Sequence, residues 1–466
     1  MKEARYIPGS LALLLGHLLF FGLFALAFIH MPARVVHVDS AFQIFKWIHV
    51  PGVGVEAHRF TAVVPQLLVK AVATTGAPLK VLLTVASLAH VLVPYVIFLI
   101  IAYALRLTWI AMALVLAQVL CTRLTFYGIV LEANYLLSYP FLLAAVLSGP
   151  LARSQRPAVL LAALGSLFLV LLVHPVGFLV ALFVLAFVRL RNVSTNKWIH
   201  ALMAVALLWP VAARFLFPPT AYEADLYASS NSGLASFGQF FQLPGWRYLV
   251  DHTFNYTTSY LAFWCCATAL FVLQIRRRAF LQLGLCLAAL AGYIALNVIT
   301  YHQGETAMMM EKNFVPLAVF VALPLMLYLE PATDRQRWSV LVPFVLVLFI
   351  QFRGISFASR PANERLAFIQ QVVDDRHTYG TPKACATHEQ LDAMGLHIHW
   401  AMAFETLLLS SLDGPEHSVS VVVRDTCPPE TRGADLSGLI PEGALCGNGT
   451  SWFRLPLGPY AVFSPR

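Results

Sequence analysis

A polar segment follows the first apolar run of the chain and carries the residues best suited to chemistry. His37 and Asp39 come directly after that run, and Glu56, His58 and Arg59 begin seventeen residues after Asp39. A carboxylate such as Asp39 can act as a general base towards an incoming hydroxyl, or can bind a divalent cation. Histidine and arginine side chains beside it could hold a phosphate group. The alternative is that Asp39 only caps a helix, because aspartate is a favoured N-cap residue.

Charged residues in apolar surroundings form a second set of candidates. Residues 121–140 hold Arg123 and Glu132, and a carboxylate inside a membrane is costly, so Glu132 is a candidate functional residue. An ion pair between Glu132 and Arg123 is the structural alternative. His174, at a predicted tight turn, and Arg353, after the last apolar run, could each contact a phosphate or have a purely structural role.

Residues 301–316 form a third cluster, in which charges flank a run of methionines. His302, Glu305 and Lys312 could meet a phosphate headgroup, and Met308–Met310 would offer the adaptable apolar surface that suits a prenyl chain. Ordinary solvated charges in an interfacial loop are the alternative for this cluster.

The elements that must position these residues are apolar helices. Of the 466 residues, 59% are hydrophobic and 12% are charged, whereas a soluble domain has about 25% charged residues. Apolar stretches recur from residue 10 to residue 352, and a stretch of about 20 residues crosses a hydrocarbon core of about 30 Å as a helix. We therefore predict a mainly α, polytopic helical membrane bundle of about eleven spans. The predicted spans are residues 10–30, 79–105, 107–122, 135–151, 157–173, 176–188, 198–217, 257–275, 279–299, 313–329 and 338–352.

Basic residues predict the side of the membrane on which each loop lies. With a cytoplasmic N-terminus, every clear cluster of Lys and Arg falls on the cytoplasmic side, as the positive-inside rule requires. Residues 31–78, 218–256, 300–312 and 353–466 then face outward. We expect a multi-pass protein of the inner (plasma) membrane whose first apolar run is kept and not cleaved as a signal peptide. The cytoplasmic clusters are Lys2 with Arg5, Arg106, Arg153 with Arg156, Arg189 and Arg191 with Lys197, Arg276–Arg278, and Arg335 with Arg337.

The net charge of +8 does not indicate a nucleic-acid partner. Residues 1–352 hold 22 Lys and Arg against 11 Asp and Glu, and residues 353–466 hold 9 against 12. The positive surplus is confined to the membrane part, where such charges fix topology and meet anionic lipid. We expect membrane lipid as a partner, and no nucleic acid.

Residues 353–466, hereafter the tail, differ from the membrane domain of residues 1–352. Alternating runs at residues 418–423 and 452–455 predict strands, and residues 391–409 predict a helix. We expect a small α+β extracytoplasmic C-terminal domain.

Seven cysteines are too few for a scaffold built on disulfides. Cys385, Cys427 and Cys446 lie in the tail, and in an oxidising compartment we expect one disulfide, with Cys427 and Cys446 as the nearest pair. No Cys-x-x-Cys pair and no His/Cys spacing of a zinc site is present, so no metal-ligating motif is predicted.

The resemblance of the chain to a known family rests mainly on the first outer loop, residues 31–78. Its apolar residues between Phe42 and Ile48 suit a helix in the membrane interface with an apolar face towards lipid. A short cytoplasmic start, one span, a long outer loop that opens with the acidic residue Asp39, about ten spans and an outer C-terminal domain resemble the GT-C superfamily of membrane glycosyltransferases. Those enzymes take a sugar from a polyprenyl-phosphate carrier and place the catalytic Asp or Glu in this loop.

By that resemblance, Asp39 is the catalytic residue of an inverting glycosyltransferase of the cell envelope. Position 37 is histidine, so a full Asp-x-Asp or Glu-x-Asp motif is absent and the cofactor is left open, with Mg²⁺ or Mn²⁺ as candidates. The partners implied are a polyprenyl-phosphate-linked sugar and a glycan, lipid or protein acceptor on the extracytoplasmic face. The residues expected to bind these substrates are His37, Glu56, His58, Arg59, Arg123, Glu132, His174, His302, Glu305, Lys312 and Arg353.

Two other functions fit the same sequence. A transporter or lipid-handling protein without transferase activity would use Glu132 and the short spans as parts of a pathway. A noncatalytic assembly partner would also carry an incomplete acidic motif.

Overall fold

The protein, described here by a computed structural model, is mainly helical. The structure describes residues 7–129, 131–148, 157–191, 198–256, 259–329, 334–427, 445, 450–456 and 458–463. Twenty α-helices and three short β-strands lie in these ranges. The predicted mainly α fold is therefore confirmed.

Each of the eleven predicted apolar spans overlaps a helix of the membrane part. Shorter helices connect them, together with 3₁₀ turns such as Phe60–Ala62, Thr125–Tyr127 and Glu132–Leu137 and a π-helical turn at Ile100–Ala104. The helices are α1 (Ile7–Ile29), α2 (Met31–Val35), α3 (Val38–His49), α4 (Val63–Ala73), α5 (Leu79–Leu99), α6 (Thr108–Ala117), α7 (Tyr139–Ser148), α8 (Pro157–Leu171), α9 (Gly177–Leu190), α10 (Trp198–Leu216), α11 (Ala221–Ala235), α12 (Pro244–Phe254), α13 (Leu261–Arg276), α14 (Phe280–Thr300), α15 (Ala307–Phe314), α16 (Leu317–Leu329) and α17 (Asp334–Phe357).

Six helical segments of the described residues are long and apolar enough, by length and composition, to cross a membrane. By contrast, α6 and α7 have ten residues each, which at 1.5 Å per residue span only about half of the hydrocarbon thickness. The count of eleven spans therefore stays a prediction. The six segments are Ser10–Ile29, Leu79–Ala104, Trp198–Leu216, Phe280–Thr300, Ala307–Leu329 and Ser339–Thr378.

Helix α16 lies at the centre of the bundle. Its side chains from Leu317 to Tyr328 are all buried, and it packs against α6, α9, α13 and α14. The outer helices show the opposite pattern, since Leu207 and Leu281 are 63% and 74% exposed. Large apolar side chains on the outside of a helical bundle are expected where the solvent is lipid.

Basic residues meet at the C-terminal end of α16. The guanidinium of Arg191 lies 4.3 Å from the centroid of the Tyr328 ring and that of Arg277 lies 5.3 Å from it, while Arg191 Nη2 donates to the Leu327 carbonyl at 2.6 Å. Members of two predicted cytoplasmic clusters therefore share one end of the bundle, which we call the basic end. Five further residues of the predicted cytoplasmic clusters lie outside the described residues, namely Lys2, Arg5, Arg153, Arg156 and Lys197.

The tail contains a small parallel sheet with the strand order β2–β1–β3. Parallel strands need a crossover connection, and two short helices form the one between β1 and β2. Lys383 on β1 pairs with Ser420 on β2, and Ala384 pairs with Ala461 on β3. The elements are α18 (Ser359–Thr378), β1 (Lys383–Thr387), α19 (His388–Ala393), α20 (Met402–Ser410), β2 (Ser420–Arg424) and β3 (Ala461–Val462).

The strand predicted at residues 418–423 corresponds to β2, but two other predictions for the tail are wrong. The helix predicted over 391–409 is interrupted because Gly395 adopts φ +84° and closes α19, with Leu396 N donating to Leu391 O at 2.9 Å. Residues 452–455 form no strand beyond a bridge at Leu455, since the Thr450 hydroxyl accepts the N–H of Phe453 in a local turn.

The disulfide of the tail joins Cys385 to Cys427, so the expected pairing of Cys427 with Cys446 is wrong. Cys385 lies on β1, and Cys427 follows β2, the neighbouring strand. Strand pairing brings their Cα atoms to 5.7 Å although 42 positions separate them in sequence. Cys446 lies outside the described residues.

The tail and the first outer loop share one apolar core. Phe45 on α3 packs against Phe404 and Phe453, with ring centroids 5.2 and 5.3 Å away, and Trp452 Nε1 donates to the Ala77 carbonyl at 3.0 Å. The apolar face of α3 therefore meets the tail, and the expectation that it faces lipid is wrong. Because α17 also continues to Phe357, no structural break falls at the predicted boundary after residue 352.

Candidate active site

Asp39 lies in the first turn of α3. Ala41, Ile44, Phe45 and Ile48 recur at helical spacing and are buried, so their packing fixes the rotation of α3 about its axis. Asp39 itself is partly exposed, and it makes no hydrogen bond or ion pair with any described residue. Its carboxylate is therefore free to accept a proton or a hydrogen bond from a substrate.

Four charged groups from four different parts of the chain act on Asp39: Lys312, Glu132, Arg59 and Glu405. Burial raises the pKa of Asp39 above its ordinary value, and the negative charges of Glu132 and Glu405 raise it further. The positive charges of Lys312 and Arg59 oppose this rise. A carboxylate with a raised pKa is a better proton acceptor than an ordinary surface aspartate.

Lys312 on α15 is, like Asp39, a charged group without a partner among the described residues. The side chain is buried, with 6% of the residue exposed, and no described residue forms a hydrogen bond or ion pair with it. Buried ammonium groups are normally paired with an acceptor. Asp39 and Lys312 are opposite charges that act on each other although no ion pair joins them, so each can still pair with a polar substrate.

Glu132 forms a buried ion pair with Arg59, whose Nη1 lies 2.8 Å from Glu132 Oε2. The side chains are only 7% and 11% exposed. The alternative of a Glu132–Arg123 pair is therefore wrong. The side chain of Arg123 instead donates to Ser259 Oγ at 3.0 Å, and its backbone N–H donates to Glu311 Oε1 at 2.6 Å.

His174 joins the same group of charges. It lies in the turn between α8 and α9, where Val176 N donates to its Nδ1 at 3.4 Å, which leaves Nε2 as the protonated nitrogen. Burial lowers the pKa of His174 well below its ordinary value, and the charges of Arg59 and Lys312 lower it further. His174 is therefore a neutral imidazole that can donate one hydrogen bond from Nε2.

The remaining predicted residues of the first outer loop lie apart from Asp39. Glu56 forms an ion pair with Lys46, and His58 Nδ1 lies 3.5 Å from Glu223 Oε2. His37 precedes α3 on the side of Arg365 and Glu405, and burial, with a further contribution from Arg365, lowers its pKa to about 4. Glu56 and His58 are therefore paired outside the group around Asp39 and Lys312, whereas His37 shares the neighbour Glu405 with Asp39.

Three more of the predicted residues, Glu305, His302 and Arg353, come after α14 in the chain. Glu305 is exposed, but its charge acts on Lys312, so it lies at the edge of the site. His302 lies beside α11, because a Cβ atom added to Gly233 of that helix would lie 3.1 Å from its Nδ1. Arg353 is exposed and lies over the ring of Phe357 at 5.1 Å. His302 and Arg353 are not brought to Asp39.

A segment without α-helix, residues 122–129 and 131–137, carries Glu132 into the site and is fixed by side chains. The buried Arg34 donates from Nε to the Phe126 carbonyl at 2.9 Å, Tyr127 Oη donates to the Ile355 carbonyl at 3.1 Å, and Asn134 Nδ2 donates to the Thr125 carbonyl at 3.2 Å. Such bonds are required because an irregular backbone inside a bundle has no helical partners for its polar groups.

Glu405 and Arg365 belong to the surroundings of the site but were not among the predicted residues. Glu405 is an isolated carboxylate in the apolar stretch Ala401–Ser410, and it is completely buried. A lone charge in a buried helix was the signal that could have identified it, because such a charge must be paired.

The candidate divalent cation has no set of ligands among the described residues, in which no group of three or more His, Cys, Asp or Glu side chains is arranged to hold a metal ion. Asp39 and Glu132 are accompanied by the cationic groups of Lys312 and Arg59. Ammonium and guanidinium groups are typical of a phosphate site.

Comparison with known proteins finds no matching family model, no matching curated protein and no matching solved structure.

Proposed function

We propose that this protein is an inverting membrane glycosyltransferase of GT-C type. It would transfer a sugar from a polyprenyl-phosphate donor to a glycan, lipid or protein acceptor on the extracytoplasmic face of the membrane. One observation carries the proposal: Asp39 and Lys312 are opposite charges that act on each other, and neither forms a hydrogen bond or ion pair with a described residue. A site for a hydroxyl nucleophile and a phosphate leaving group needs a base and a cation placed in this way.

In the proposed reaction, Asp39 accepts the proton of the acceptor hydroxyl as that oxygen bonds to the anomeric carbon of the donor sugar. The bond from this carbon to the phosphate oxygen breaks, and polyprenyl phosphate leaves with the electron pair. Lys312 neutralises the charge that develops on the phosphate, and His174 donates a hydrogen bond from Nε2. A single displacement inverts the anomeric centre and requires no covalent intermediate.

The ion pair between Glu132 and Arg59 positions these groups. Its two side chains come from the first outer loop and from the 3₁₀ turn Glu132–Leu137, which it holds together beside Asp39. The pairing also argues against the transporter alternative, in which Glu132 would be an unpaired group along a pathway. A carrier site would be expected near the membrane midplane, whereas Glu132 pairs with a residue of the loop between the first two long helices.

The proposal includes eleven spans, a cytoplasmic N-terminus and an extracytoplasmic tail in the inner membrane. Two observations support this orientation. Arg191 and Arg277 meet at the basic end, as cytoplasmic residues should. The tail carries the disulfide Cys385–Cys427, and disulfides persist in oxidising compartments such as the periplasm.

The decisive experiment is the substitution Asp39→Asn, assayed for sugar transfer from a radiolabelled polyprenyl-phosphate donor in membranes. Loss of a general base lowers the rate by about 10²- to 10⁴-fold. The matched control is Asp413→Asn, which changes an exposed carboxylate of the tail. Transfer by Asp39→Asn at the rate of the control would remove Asp39 from the mechanism.

Orientation is tested separately with a tag fused after Arg466. We expect the tag to react with an impermeant reagent in intact cells, after the outer permeability barrier has been opened. Protection of the tag until the inner membrane is disrupted would invert the topology and exclude an extracytoplasmic site.

A further inference from the structure

The N-terminus of α3, which carries Asp39, has an unusual conformation. Val38, the first residue of α3, adopts φ +31°, a region that a β-branched residue enters only under strain. His37 occupies the N-cap position and its side chain makes no capping hydrogen bond. The strained start of the helix must therefore be held by something outside the local sequence.

A carboxylate from the tail supplies the missing cap. The N–H of Val38 donates to Glu405 Oε1 at 2.9 Å, and Glu405 lies on α20 and is completely buried. Negative charge at a helix N-terminus is favourable, because the unpaired N–H groups there carry partial positive charge. The cap thus links two segments that lie at opposite ends of the sequence.

Arg365 on α18 fixes Glu405 in turn. Its Nε donates to Glu405 Oε1 and its Nη2 donates to Glu405 Oε2, both at 2.8 Å, and Nη2 also donates to the Ile398 carbonyl at 2.6 Å. Such a two-bonded guanidinium–carboxylate pair is geometrically specific. Removal of one partner would leave an uncompensated buried charge, so the two residues act as one unit.

We propose that Glu405 and Arg365 are positioning residues that hold Asp39 in place through the N–H of Val38. The tail then helps to position Asp39 and is part of the site. The activity readout rests on the proposed function, but the position and ionisation of Asp39 can be measured without any sugar transfer.

The test compares Glu405→Gln and Arg365→Lys with the control Glu364→Gln, which changes an exposed carboxylate next to Arg365 on the same helix. Glutamine keeps an oxygen for the N–H of Val38 but turns its NH₂ group towards Arg365. Lysine keeps the positive charge but cannot make two parallel bonds. Each variant is first checked for membrane yield and thermal stability.

The first readout is the modification of Asp39 by a hydrophobic carbodiimide, which attacks protonated carboxyl groups, followed by mass spectrometry across a pH series. The charged groups that face Asp39 are Lys312, Glu132, Arg59 and Glu405, and only the last changes in Glu405→Gln. Because the charge of Glu405 raises the pKa of Asp39, we expect the labelling midpoint to move to lower pH in this variant and to stay constant in the control.

The second readout is kcat against KM in the transfer assay. A catalytic group displaced by about 1 Å loses up to about 100-fold in rate. We expect Glu405→Gln to lower kcat by that order while KM for the donor stays within about threefold, and Arg365→Lys to lower kcat less. The acid limb of kcat should shift with the labelling midpoint.

Two outcomes would overturn the inference. One is a stable Glu405→Gln protein with the labelling midpoint and kcat of the control; the other is a loss of kcat that only follows the loss of thermal stability in both variants. If Glu405→Gln does not fold, the test rests on Arg365→Lys alone. A lower kcat at unchanged KM then supports the inference, and a kcat equal to that of the control overturns it. If the wild type shows no transfer, the proposed function fails, and the labelling midpoint still decides whether Glu405 acts on Asp39.

Discussion

The two ends of the bundle use charge in different ways. At the basic end, Arg191 and Arg277 both lie over the ring of Tyr328, and Arg191 also donates to the Leu327 carbonyl. Near the N-terminal end of α16, Lys312 on α15 is buried, acts on Asp39 and forms no hydrogen bond or ion pair with any described residue. Charges that contact protein groups stabilise the fold, whereas buried charges without partners are costly and are typical of binding sites. The comparison predicts that substitutions at the two ends will affect different properties.

The largest expected effect is that of Lys312→Met, a substitution that keeps the side-chain length and removes the charge. Loss of one group that stabilises the developing negative charge lowers kcat by about 10²- to 10³-fold. Lys312→Arg should retain part of the activity, since it restores a cation. The control is Arg277→Met at the basic end. An equal loss of transfer in both Met variants would contradict the proposed difference between the two ends of the bundle.

The next effect concerns the tail, whose α18 and α20 pack against α2 and α3, the helix that carries Asp39. Cys385→Ser removes the disulfide to Cys427, and loss of such a crosslink lowers the free energy of unfolding by about 2–4 kcal/mol. We expect lower thermal stability in an oxidising buffer and no difference from wild type after reduction of both proteins. The control is Cys265→Ser, an exposed free thiol. An unchanged melting temperature would show that Cys385 and Cys427 are not joined.

A third prediction concerns pH. Because the pKa of Asp39 is raised, its carboxylate becomes protonated at a higher pH than an ordinary aspartate does. The rate of transfer should fall as the pH falls through this raised pKa. Glu132 raises this pKa and Lys312 lowers it. The acid limb of kcat should therefore move to lower pH in Glu132→Gln and to higher pH in Lys312→Met. Shifts in the same direction would contradict the arrangement of charges around Asp39.

The smallest effect is expected at the basic end. Arg191→Met removes one hydrogen bond and one cation–π contact and should lower the free energy of unfolding by about 1–2 kcal/mol. Transfer per folded molecule should equal that of the wild type, since Arg191 lies at the other end of α16 from Lys312. A selective loss of kcat at normal stability would mean that the two ends are coupled.

The prediction of the helices succeeded because apolar runs are local signals. Each of the eleven predicted runs overlaps a helix, and Arg191 after α9 and Arg277 after α13, both predicted as cytoplasmic, do meet at one end. The tail was harder to predict. Gly395 ends α19 inside a stretch that is periodic enough for one helix, and β3 is only two residues long.

Sequence alone also could not sort the candidate site residues. Asp39, Arg59, Glu132, His174 and Lys312 come together, whereas Glu56 and His58 pair with Lys46 and Glu223. These seven residues are similar in type and in local surroundings. Their partners lie far away in the chain, and distance in space decides which charges act on each other.

The amino-acid sequence by itself determined that the chain is a bundle of apolar helices, because each helix satisfies its own backbone and its hydropathy can be read over about 20 residues. It also identified Asp39 as the first carboxylate after the first span. Only the tertiary structure decided that Asp39 and Lys312 have no partner among the described residues, that Arg59 pairs with Glu132, and that Glu405 caps α3. These are pairings between distant segments, and they form only when packing brings the segments together.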